Sequence, residues 1–200
     1  MAKRKIPSEP PNPSRIDFLT GRCIPLFYFI RHGETDYNRN NLWLGRQDHP
    51  LNQTGIKQVE AAAQAIVRIP LQIIITSPLL RARQTAELIA NQHPESPVIK
   101  IADWLTERDY GPYESMQKTD ANRIAMNASC CVESLGCLAQ RLKPLAEVAD
   151  VYEHFLVVSH SGVYRCLVEN LGYQNQKNHT NLSNSELVLF ESPTAQSKSS

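Results

Sequence analysis

The stretch of sequence that decides the fold is LFYFIRHGETDYN, residues 26–38. Residues 26–30 are apolar or aromatic without polar alternation, a pattern that predicts a strand buried on both faces. The run then changes abruptly to Arg31, His32 and Gly33. In an open α/β sheet, ligands bind beyond the carboxyl ends of the strands, so we expect these residues to border a binding crevice.

An arginine and a histidine at that place suit a phosphoryl group. A guanidinium can donate two parallel charge-assisted hydrogen bonds to phosphate oxygens, and a neutral imidazole can attack phosphorus as a nucleophile. For an Arg-His pair alone, the simpler interpretation is a strand-end His32 beside a surface Arg31. The phosphate hypothesis therefore needs support from the rest of the chain.

Length, composition and charge set the organisation. The 200 residues suffice for one α/β domain with a substantial core. We expect a disordered arm over residues 1–22, one domain over residues 23–191 and a disordered Ser-rich tail over residues 192–200, because the two ends lack an apolar period. A formal charge of +1 gives no general electrostatic case for nucleic acid or an anionic membrane. The oligomeric state is left open.

The cysteines and apolar runs bear on the compartment. The five cysteines are odd in number and have neither CxxC nor zinc-ligand spacing, which predicts free thiols in a reducing environment. We interpret Cys130 and Cys131 as small apolar fillers. The apolar runs are too short for a membrane helix, and no signal-peptide pattern follows the basic N-terminus. We therefore expect a cytoplasmic protein.

Strand and helix patterns alternate along the chain. Further strands are predicted at residues 73–76, 98–101 and 155–158. For the helices, we expect Asn52 to cap one that ends at Pro70, Ser77 to cap the next, and a third over residues 132–149 to kink at Pro144. Residues 117–129 are polar and weakly patterned. This order predicts an α/β fold with a mostly parallel central sheet flanked by helices.

Further candidate site residues lie near strand ends. Arg81 falls in the first or second turn of the predicted helix after Ser77, near backbone N–H groups that favour an anion, although a solvated helix arginine is the alternative. His160 follows the strand at residues 155–158, and a buried, hydrogen-bonded histidine is equally plausible there. Glu107 stands in a loop, where a lone glutamate is usually solvated.

Several segments together resemble the histidine phosphatase superfamily, in its phosphoglycerate mutase-like branch. They are Arg-His-Gly-Glu-Thr followed by Asn38, GRQDHPL at residues 45–51, TSPLLRARQTA at residues 76–86, LTERDYG at residues 105–111, Ser-His-Ser-Gly at residues 159–162 and residues 184–190. The last of these resembles the family's last strand, which we expect at an edge of the sheet. The resemblance covers roughly residues 26–190. It implies a three-layer phosphoglycerate mutase-like sandwich.

The resemblance also implies the roles of site residues. His32 would form a phosphohistidine, Glu107 would donate a proton to the leaving oxygen and then orient water, and phosphate would bind to Arg31, Arg81, His160 and Asn38. No metal or other cofactor is called for. The other histidines, His49, His93, His154 and His179, match no motif position and are expected in loops or on the surface. We expect an acceptor, such as the Gly33 carbonyl, to hold the second N–H of the nucleophile.

Two positions depart from the family pattern. Ser115 and Ser161 stand where the family usually has glycine. Ser115 puts the geometry of the loop after Glu107 in question, whereas Ser161 is expected to leave the imidazole of His160 available for its role.

Three functions are compatible with these residues. The favoured one is a phosphatase that hydrolyses a small phosphorylated metabolite. A mutase is the second, because Glu107-Arg108-x-Tyr110-Gly111 is similar to a mutase segment; however, mutases have a longer stretch before the second histidine, and here it spans only 53 positions (160 − 107). The third is a non-enzymatic phospho-ligand binding module, since fold alone does not fix function.

Overall fold

The structure is a computed structural model that describes residues 15–16, 23–24, 26–175 and 180–191. Arg15–Ile16 (β1) and Cys23–Ile24 (β2) form a short antiparallel pair, so two residues of the predicted disordered arm have regular backbone structure. The rest of that arm and the predicted tail at residues 192–200 lie outside the described residues. The domain limits therefore stay a prediction.

The elements from residue 26 onward alternate between strands and helices. The strands are β3 Leu26–Arg31, β4 Ile73–Thr76, β5 Val98–Ile101, β6 Phe155–Ser159, β7 Gln174–Asn175 and β8 Leu187–Glu191. The helices are α1 Asp36–Arg39, α2 Gln53–Ile66, α3 Leu80–Gln92, α4 Asp120–Ala128, α5 Leu135–Arg141, α6 Pro144–Val151 and α7 Ser161–Glu169. Short 3-10 turns occur at Asp103–Leu105 and Gly111–Tyr113.

One six-stranded sheet, in the order β5-β4-β6-β3-β8-β7, forms the middle layer. The β5, β4, β6 and β3 strands run parallel, and β8 pairs antiparallel with β3, which confirms the predicted mostly parallel sheet. Arg31 pairs with Ser159 at the carboxyl ends of β3 and β6. The prediction of an edge position for the last strand is wrong, because β7 lies beyond β8 in the sheet and pairs with Phe190 and Glu191.

Apolar side chains cover both faces of the sheet. On one face, Phe27 and Phe155 stack with ring centroids 5.2 Å apart and pack with side chains of α5, α6 and α7. On the other face, Ile30 and Leu156 pack with side chains of α2 and α3. Successive residues of a strand face opposite sides, so a run that is apolar throughout supplies both cores. The result is the predicted three-layer sandwich.

The helix starts follow the predictions in one case and not in another. The Asn52 side chain accepts a hydrogen bond from the Gly55 N–H at 2.8 Å and caps α2 as expected, although the helix ends at Ile66, before Pro70. Ser77 does not cap α3, which begins later, at Leu80. The Leu80 N–H instead donates to the Asp48 carboxylate, a charge that suits a helix N-terminus.

The region after residue 117 differs from the prediction. A helix, α4, lies in the segment that showed little pattern, and Met126 is its one buried residue. The single helix expected over residues 132–149 is two helices, with Ser134 capping α5 through a hydrogen bond from the Cys137 N–H at 3.1 Å. Pro144 is in the first turn of α6 rather than at a kink, because a residue without an N–H is tolerated there.

Some expectations about single residues also need correction. His93 lies in a loop as expected, directly after α3, but it is buried, with Nε2 at 2.8 Å from the Ile69 carbonyl oxygen. His49 and His154 are partly exposed and lie in loops as expected. His179 lies outside the described residues. Cys130 and Cys131 are exposed free thiols and not core fillers. Among the described residues, no helix has the length and apolar character needed to cross a membrane.

Candidate active site

The imidazole of His32 lies at the carboxyl end of β3 and is almost fully buried. Its Nδ1 is 2.7 Å from the Gly33 carbonyl oxygen, which can only accept, so Nδ1 carries the proton and Nε2 presents a lone pair. Burial, followed by the charges of Arg81 and Arg31, holds the pKa of His32 well below its usual range. The ring is therefore a neutral base of defined tautomer at neutral pH.

Arg81 stands in the first turn of α3 and is completely buried. Its Nε donates to Nε2 of His32 at 3.2 Å, while Nη1 and Nη2 donate to the carbonyl oxygens of Gln47 and Gly45 at 2.7 and 2.8 Å. Burial lowers the pKa of Arg81 to about 10, so it stays charged at neutral pH. The segment at residues 45–47 thus fixes this cation beside the histidine.

Arg31 brings a second cation to the same place. Its Nη1 donates to the Leu182 carbonyl oxygen at 2.7 Å, and its buried Nε has no hydrogen-bond partner among the described residues. Burial lowers the pKa of this guanidinium, and the negative charge of Glu107 opposes the effect. Part of its donor capacity is therefore available to an anion.

His160 lies directly before α7 and is fully buried. Its Nε2 is 2.7 Å from Oγ of Ser77, and its Nδ1 has no partner in the described part of the chain. The two histidine rings lie with centroids 5.2 Å apart. Burial and then the charge of Arg81 hold the pKa of His160 well below its usual range.

The carboxylate of Glu107 is buried against the start of α7. Its Oε1 accepts from the Arg108 N–H at 2.9 Å, and its Oε2 accepts from the Gly162 N–H at 3.1 Å. A Cβ atom at position 162 would lie only 2.3 Å from Oε1. The glycine that this chain keeps at position 162 is therefore the one that lets the carboxylate approach, and Ser161 does not stand in its way.

Asn38 completes the predicted set. Its Oδ1 accepts from the Thr35 N–H and from Nδ2 of Asn184, each at 3.2 Å, within the capping box of α1. Nδ2 of Asn184 also donates to the His32 carbonyl oxygen at 2.9 Å. These contacts hold the amide of Asn38 at the edge of the site with its oxygen turned into the protein.

A cavity of about 260 Å³ brings most of the predicted residues together. Its lining includes Arg31, His32, Asn38, Arg81 and Glu107. His160 does not border it and lies behind the neighbouring Ser161 and Gly162, which do. Two guanidiniums around a neutral imidazole form a site for an anion, with one carboxylate as an acid or base.

Comparison with known proteins identifies the family. The sequence model of the histidine phosphatase superfamily (branch 1) matches residues 27–195. The chain belongs to this superfamily. It is 35% identical over 178 residues to the protein named uncharacterized phosphatase PhoE of Bacillus subtilis strain 168, covering 86% of this chain and 89% of the relative.

Solved structures agree on the fold. A mycobacterial glucosyl-3-phosphoglycerate phosphatase, solved with VO3, is 22% identical with a TM-score of 0.68 over 82% of this chain and 92% of that one. At this identity the likeness shows the fold alone. The phosphoglycerate mutase from Thermus thermophilus is 27% identical with a TM-score of 0.65 over 82% of this chain and 91% of that one. The predicted histidine phosphatase, an enzyme of phosphoglycerate mutase-like fold, is thus confirmed, and phosphomonoester hydrolysis through a phosphohistidine fits the family.

Ser115, one departure from the pattern of the histidine phosphatases, keeps the backbone geometry of a glycine. Its φ of 69° lies in the left-handed region. Its N–H donates to the Trp43 carbonyl oxygen at 2.8 Å, and its Oγ lies 2.9 Å from Nε2 of Gln47. The loop after Glu107 is thereby joined to the segment that also holds Arg81.

Sequence reasoning missed a cation in the cavity of this phosphatase. Lys118 lines the cavity and is partly buried. Burial and then the charge of Arg31 lower its pKa to about 8. An isolated β-bridge between Leu42 and Gln117 holds the backbone next to this lysine. No local pattern in the sequence predicts such a long-range pairing.

An ion pair that fixes the Glu107 segment was also missed. Arg141 donates through Nε to Glu133 at 2.7 Å, through Nη1 to the Trp104 carbonyl oxygen at 2.7 Å and through Nη2 to the Glu107 carbonyl oxygen at 3.1 Å. Glu133 in turn accepts from the Asp109 N–H at 3.1 Å. This pair therefore clamps the backbone on both sides of the carboxylate-bearing residue.

Proposed function

We propose that this histidine phosphatase hydrolyses a small phosphorylated metabolite, with His32 as the nucleophile and Glu107 as the proton donor. The observation that carries the proposal is the 2.7 Å contact between Nδ1 of His32 and the Gly33 carbonyl oxygen. This contact leaves the lone pair of Nε2 as the reactive one and keeps the ring from turning.

In the first step, Nε2 of His32 attacks phosphorus while the bond from phosphorus to the ester oxygen breaks. Glu107, protonated, gives its proton to the departing oxygen, so an alcohol leaves and a phosphohistidine remains. In the second step, the ionised Glu107 takes a proton from water as the water attacks phosphorus. The bond between phosphorus and nitrogen breaks, and inorganic phosphate and neutral His32 are regenerated.

Phosphate binding would fall to the cations and amide around the nucleophile. Arg31, Arg81, His160 and Asn38 are proposed to hold the oxygens whose charge is shared in the transition state. The Nε–H of Arg81, which donates to Nε2 of His32, would donate to a phosphate oxygen instead when the nucleophile reacts. For His160, which does not itself line the cavity, a hydroxyl hydrogen of Ser77 on Nε2 would leave Nδ1–H, which has no partner among the described residues, to donate towards a phosphate oxygen.

Phosphoryl transfer between phosphoglycerates is the second candidate. The 27% identity to the Thermus mutase and the segment from Glu107 to Gly111 favour it. Against it, the cavity that holds Glu107 continues into a second, larger one, so water has access to a phosphohistidine. Hydrolysis is the expected fate of the intermediate in such a site.

The proposed cellular setting follows from the cysteines. In the described residues, Cys130, Cys131, Cys137 and Cys166 are free thiols. Free exposed thiols are typical of a reducing compartment, and we place the enzyme in the cytoplasm. Its proposed partner is the phosphorylated substrate, and neither nucleic acid nor membrane.

Turnover of a panel of phosphate esters tests the proposal. The panel contains phenyl phosphate, sugar phosphates, nucleotides and 3-phosphoglycerate, the last with and without 2,3-bisphosphoglycerate, in the presence of a chelator. We expect hydrolysis by the wild type and none by His32→Ala. Isomerisation of 3-phosphoglycerate faster than hydrolysis would favour the mutase, and no turnover at all would favour a binding module.

A further inference from the structure

A second cavity of about 490 Å³ adjoins the cavity that holds His32 and Glu107. The two share lining residues, namely Trp43, Tyr110, Arg123, Gly162 and Arg165. They are therefore parts of one cleft, and the shared wall begins at the residue whose N–H binds the Glu107 carboxylate. When the bond from phosphorus to the ester oxygen breaks, the leaving group that Glu107 protonates would pass directly into this second cavity.

One wall of the second cavity is apolar. Trp43, Tyr110, Met126 and Val132 pack into a small buried cluster separate from the two cores of the sheet, and all four line the cavity. Leu135 adds an exposed apolar surface beside them. A cluster built from α4 and the adjoining loops, with no contribution from the sheet, is suited to contact a ligand as well as to pack.

The other side of the cavity is cationic. Arg108, Arg123 and Arg165 line it, and Glu169, which pairs with Arg165 at 3.6 Å, is the one acidic residue among its lining residues. Nε of Arg108 is already used by the Glu133 carbonyl oxygen at 2.7 Å. Arg123 is exposed and forms no ion pair within the described residues. Positive charge thus exceeds negative charge next to an apolar wall.

We propose that this second cavity binds the leaving group of the substrate and selects phosphomonoesters whose leaving group combines an apolar body with a second anionic group. The inference rests on the proposed function and names its substrate class. Met126 and its neighbours contact the apolar body, and Arg123, with Arg165, binds the distal carboxylate or phosphate. The scissile phosphate stays in the first cavity between Arg31 and Arg81.

The size of the cavity agrees with this class. Pockets for small organic ligands range from about 300 to 1,000 Å³, and they combine mostly apolar walls with a few placed polar groups. A phosphate ester as small as phenyl phosphate leaves most of the second cavity unused. We therefore expect that a larger leaving group improves substrate capture, and that the gain has separate apolar and ionic parts.

Four aryl phosphates of graded structure test the proposal. They are phenyl phosphate, 2-naphthyl phosphate, and 2-naphthyl phosphate with a carboxylate or a phosphonate at position 6. We expect kcat/KM to rise about tenfold from phenyl to naphthyl, because an added apolar body fills the wall. A further rise of about fivefold is expected with an acid at position 6, mainly through KM. The larger of the two acid effects identifies the preferred group.

Variants separate the two contributions. Arg123→Gln should lose the increase in kcat/KM that the acid gives and keep the increase that the naphthyl ring gives. Met126→Ala should keep the increase from the acid and lose the increase from the naphthyl ring. Arg68→Gln, at an exposed arginine that lines neither cavity, is the matched control and should change neither gain. Because Met126 is buried, the thermal unfolding of its variant is measured alongside, and Arg165→Gln gives a second reading on the ionic part.

The outcomes distinguish this inference from the proposed function. If wild type hydrolyses phenyl phosphate in a His32-dependent way but gains nothing from the ring or the acid, the leaving-group site is wrong and the phosphatase mechanism stands. The same conclusion follows if Arg123→Gln keeps the full acid gain and Arg165→Gln does too. If phenyl phosphate is not hydrolysed, or His32→Ala still turns over, the proposed function itself fails.

Discussion

Gly162 and Glu107 are in direct contact: the N–H of Gly162 donates to Oε2 of Glu107 at 3.1 Å, and a Cβ there would lie 2.3 Å from Oε1. Real Cβ atoms do not approach an oxygen so closely, so any side chain at this position must displace the carboxylate. The glycine therefore contributes to the placement of the proposed proton donor without taking part in the chemistry.

The first prediction concerns the Gly162→Ala variant. We expect kcat/KM, which reports on the step in which the leaving group departs, to fall about 10²-fold on alkyl phosphates, because a displaced carboxylate cannot protonate the leaving oxygen. The loss should be smaller on aryl phosphates with good leaving groups, which need little protonation. Ser161→Gly, which restores the usual glycine next door, is the control and should keep full activity. An equal loss on both classes of ester would contradict the role assigned to Glu107.

The second prediction concerns stability in acid. His32 and His160 have pKa values held well below 6.5 in the fold, so below pH 6.5 the unfolded chain binds more protons than the native one. The free energy of unfolding should then fall as the pH drops below about 6.5, by up to about 1.4 kcal/mol per pH unit for each ring.

Chemical denaturation from pH 7 to 5 checks this. The His160→Asn variant should show a shallower dependence than wild type, because one of the two buried rings no longer differs between the states. His154→Asn, at a partly exposed loop position, is the control and should keep the wild-type slope. A wild-type slope retained by His160→Asn would contradict a buried neutral imidazole at this position.

The third prediction concerns Lys118, whose pKa is lowered to about 8. The phosphate of phenyl phosphate is a dianion throughout the range from pH 7 to 9.5, so a change in its affinity reports on the protein. Below pH 8 the ammonium attracts the dianion, and above it this attraction is lost. We expect KM to rise about fivefold across this range.

Two substitutions at position 118 separate charge from shape. Lys118→Arg keeps its charge above pH 8, so its KM should stay flat up to pH 9.5. Lys118→Met should have the raised KM at every pH. A wild-type rise in KM that persists unchanged in Lys118→Arg would assign the titration to another group.

The fourth prediction concerns the ion pair of Glu133 and Arg141. Glu133→Gln weakens the hydrogen bonds by which Arg141 holds the backbone of the Glu107 segment. We therefore expect kcat to fall about tenfold, with a smaller change in KM. The midpoint of thermal unfolding should drop by a few degrees, because a partly buried charge loses its partner. Glu60→Gln, on an exposed face of α2, should change neither quantity. A variant that loses stability but keeps kcat would reduce the pair to a purely structural role.

The sequence predicts the strands well and the helices between residues 117 and 151 poorly. The β3, β4 and β6 strands are buried on both faces, so each is a continuous apolar run that stands out from its surroundings. The α4 helix buries Met126 alone, so it lacks the set of core residues that marks the other helices in the sequence. The inward position of β8 depends on pairing with the two-residue β7, a contact that no local pattern encodes.

The residues of the site also divide into those that the sequence predicts and those that it does not. His32 and its neighbour Arg31 stand at the end of an apolar strand, where a change in composition marks them. Lys118 and the Glu133–Arg141 pair reach the site through tertiary contacts, so spacing along the chain gives no sign of them. Ser115 shows a third case, because its positive φ maintains the loop that a glycine normally forms. Residue identity alone suggested a change of geometry that the backbone does not make.

The most direct test of the account is to trap the phosphoryl-enzyme. Glu107→Gln should form the intermediate with an aryl phosphate of good leaving group and hydrolyse it slowly, because the residue that activates water is gone. Rapid quenching at alkaline pH followed by mass spectrometry should find one acid-labile phosphoryl group on His32, and none in the double variant that also carries His32→Ala. Phosphate on another residue, or turnover by Glu107→Gln with no phosphoryl-enzyme at any time, would contradict a phosphohistidine mechanism at this site.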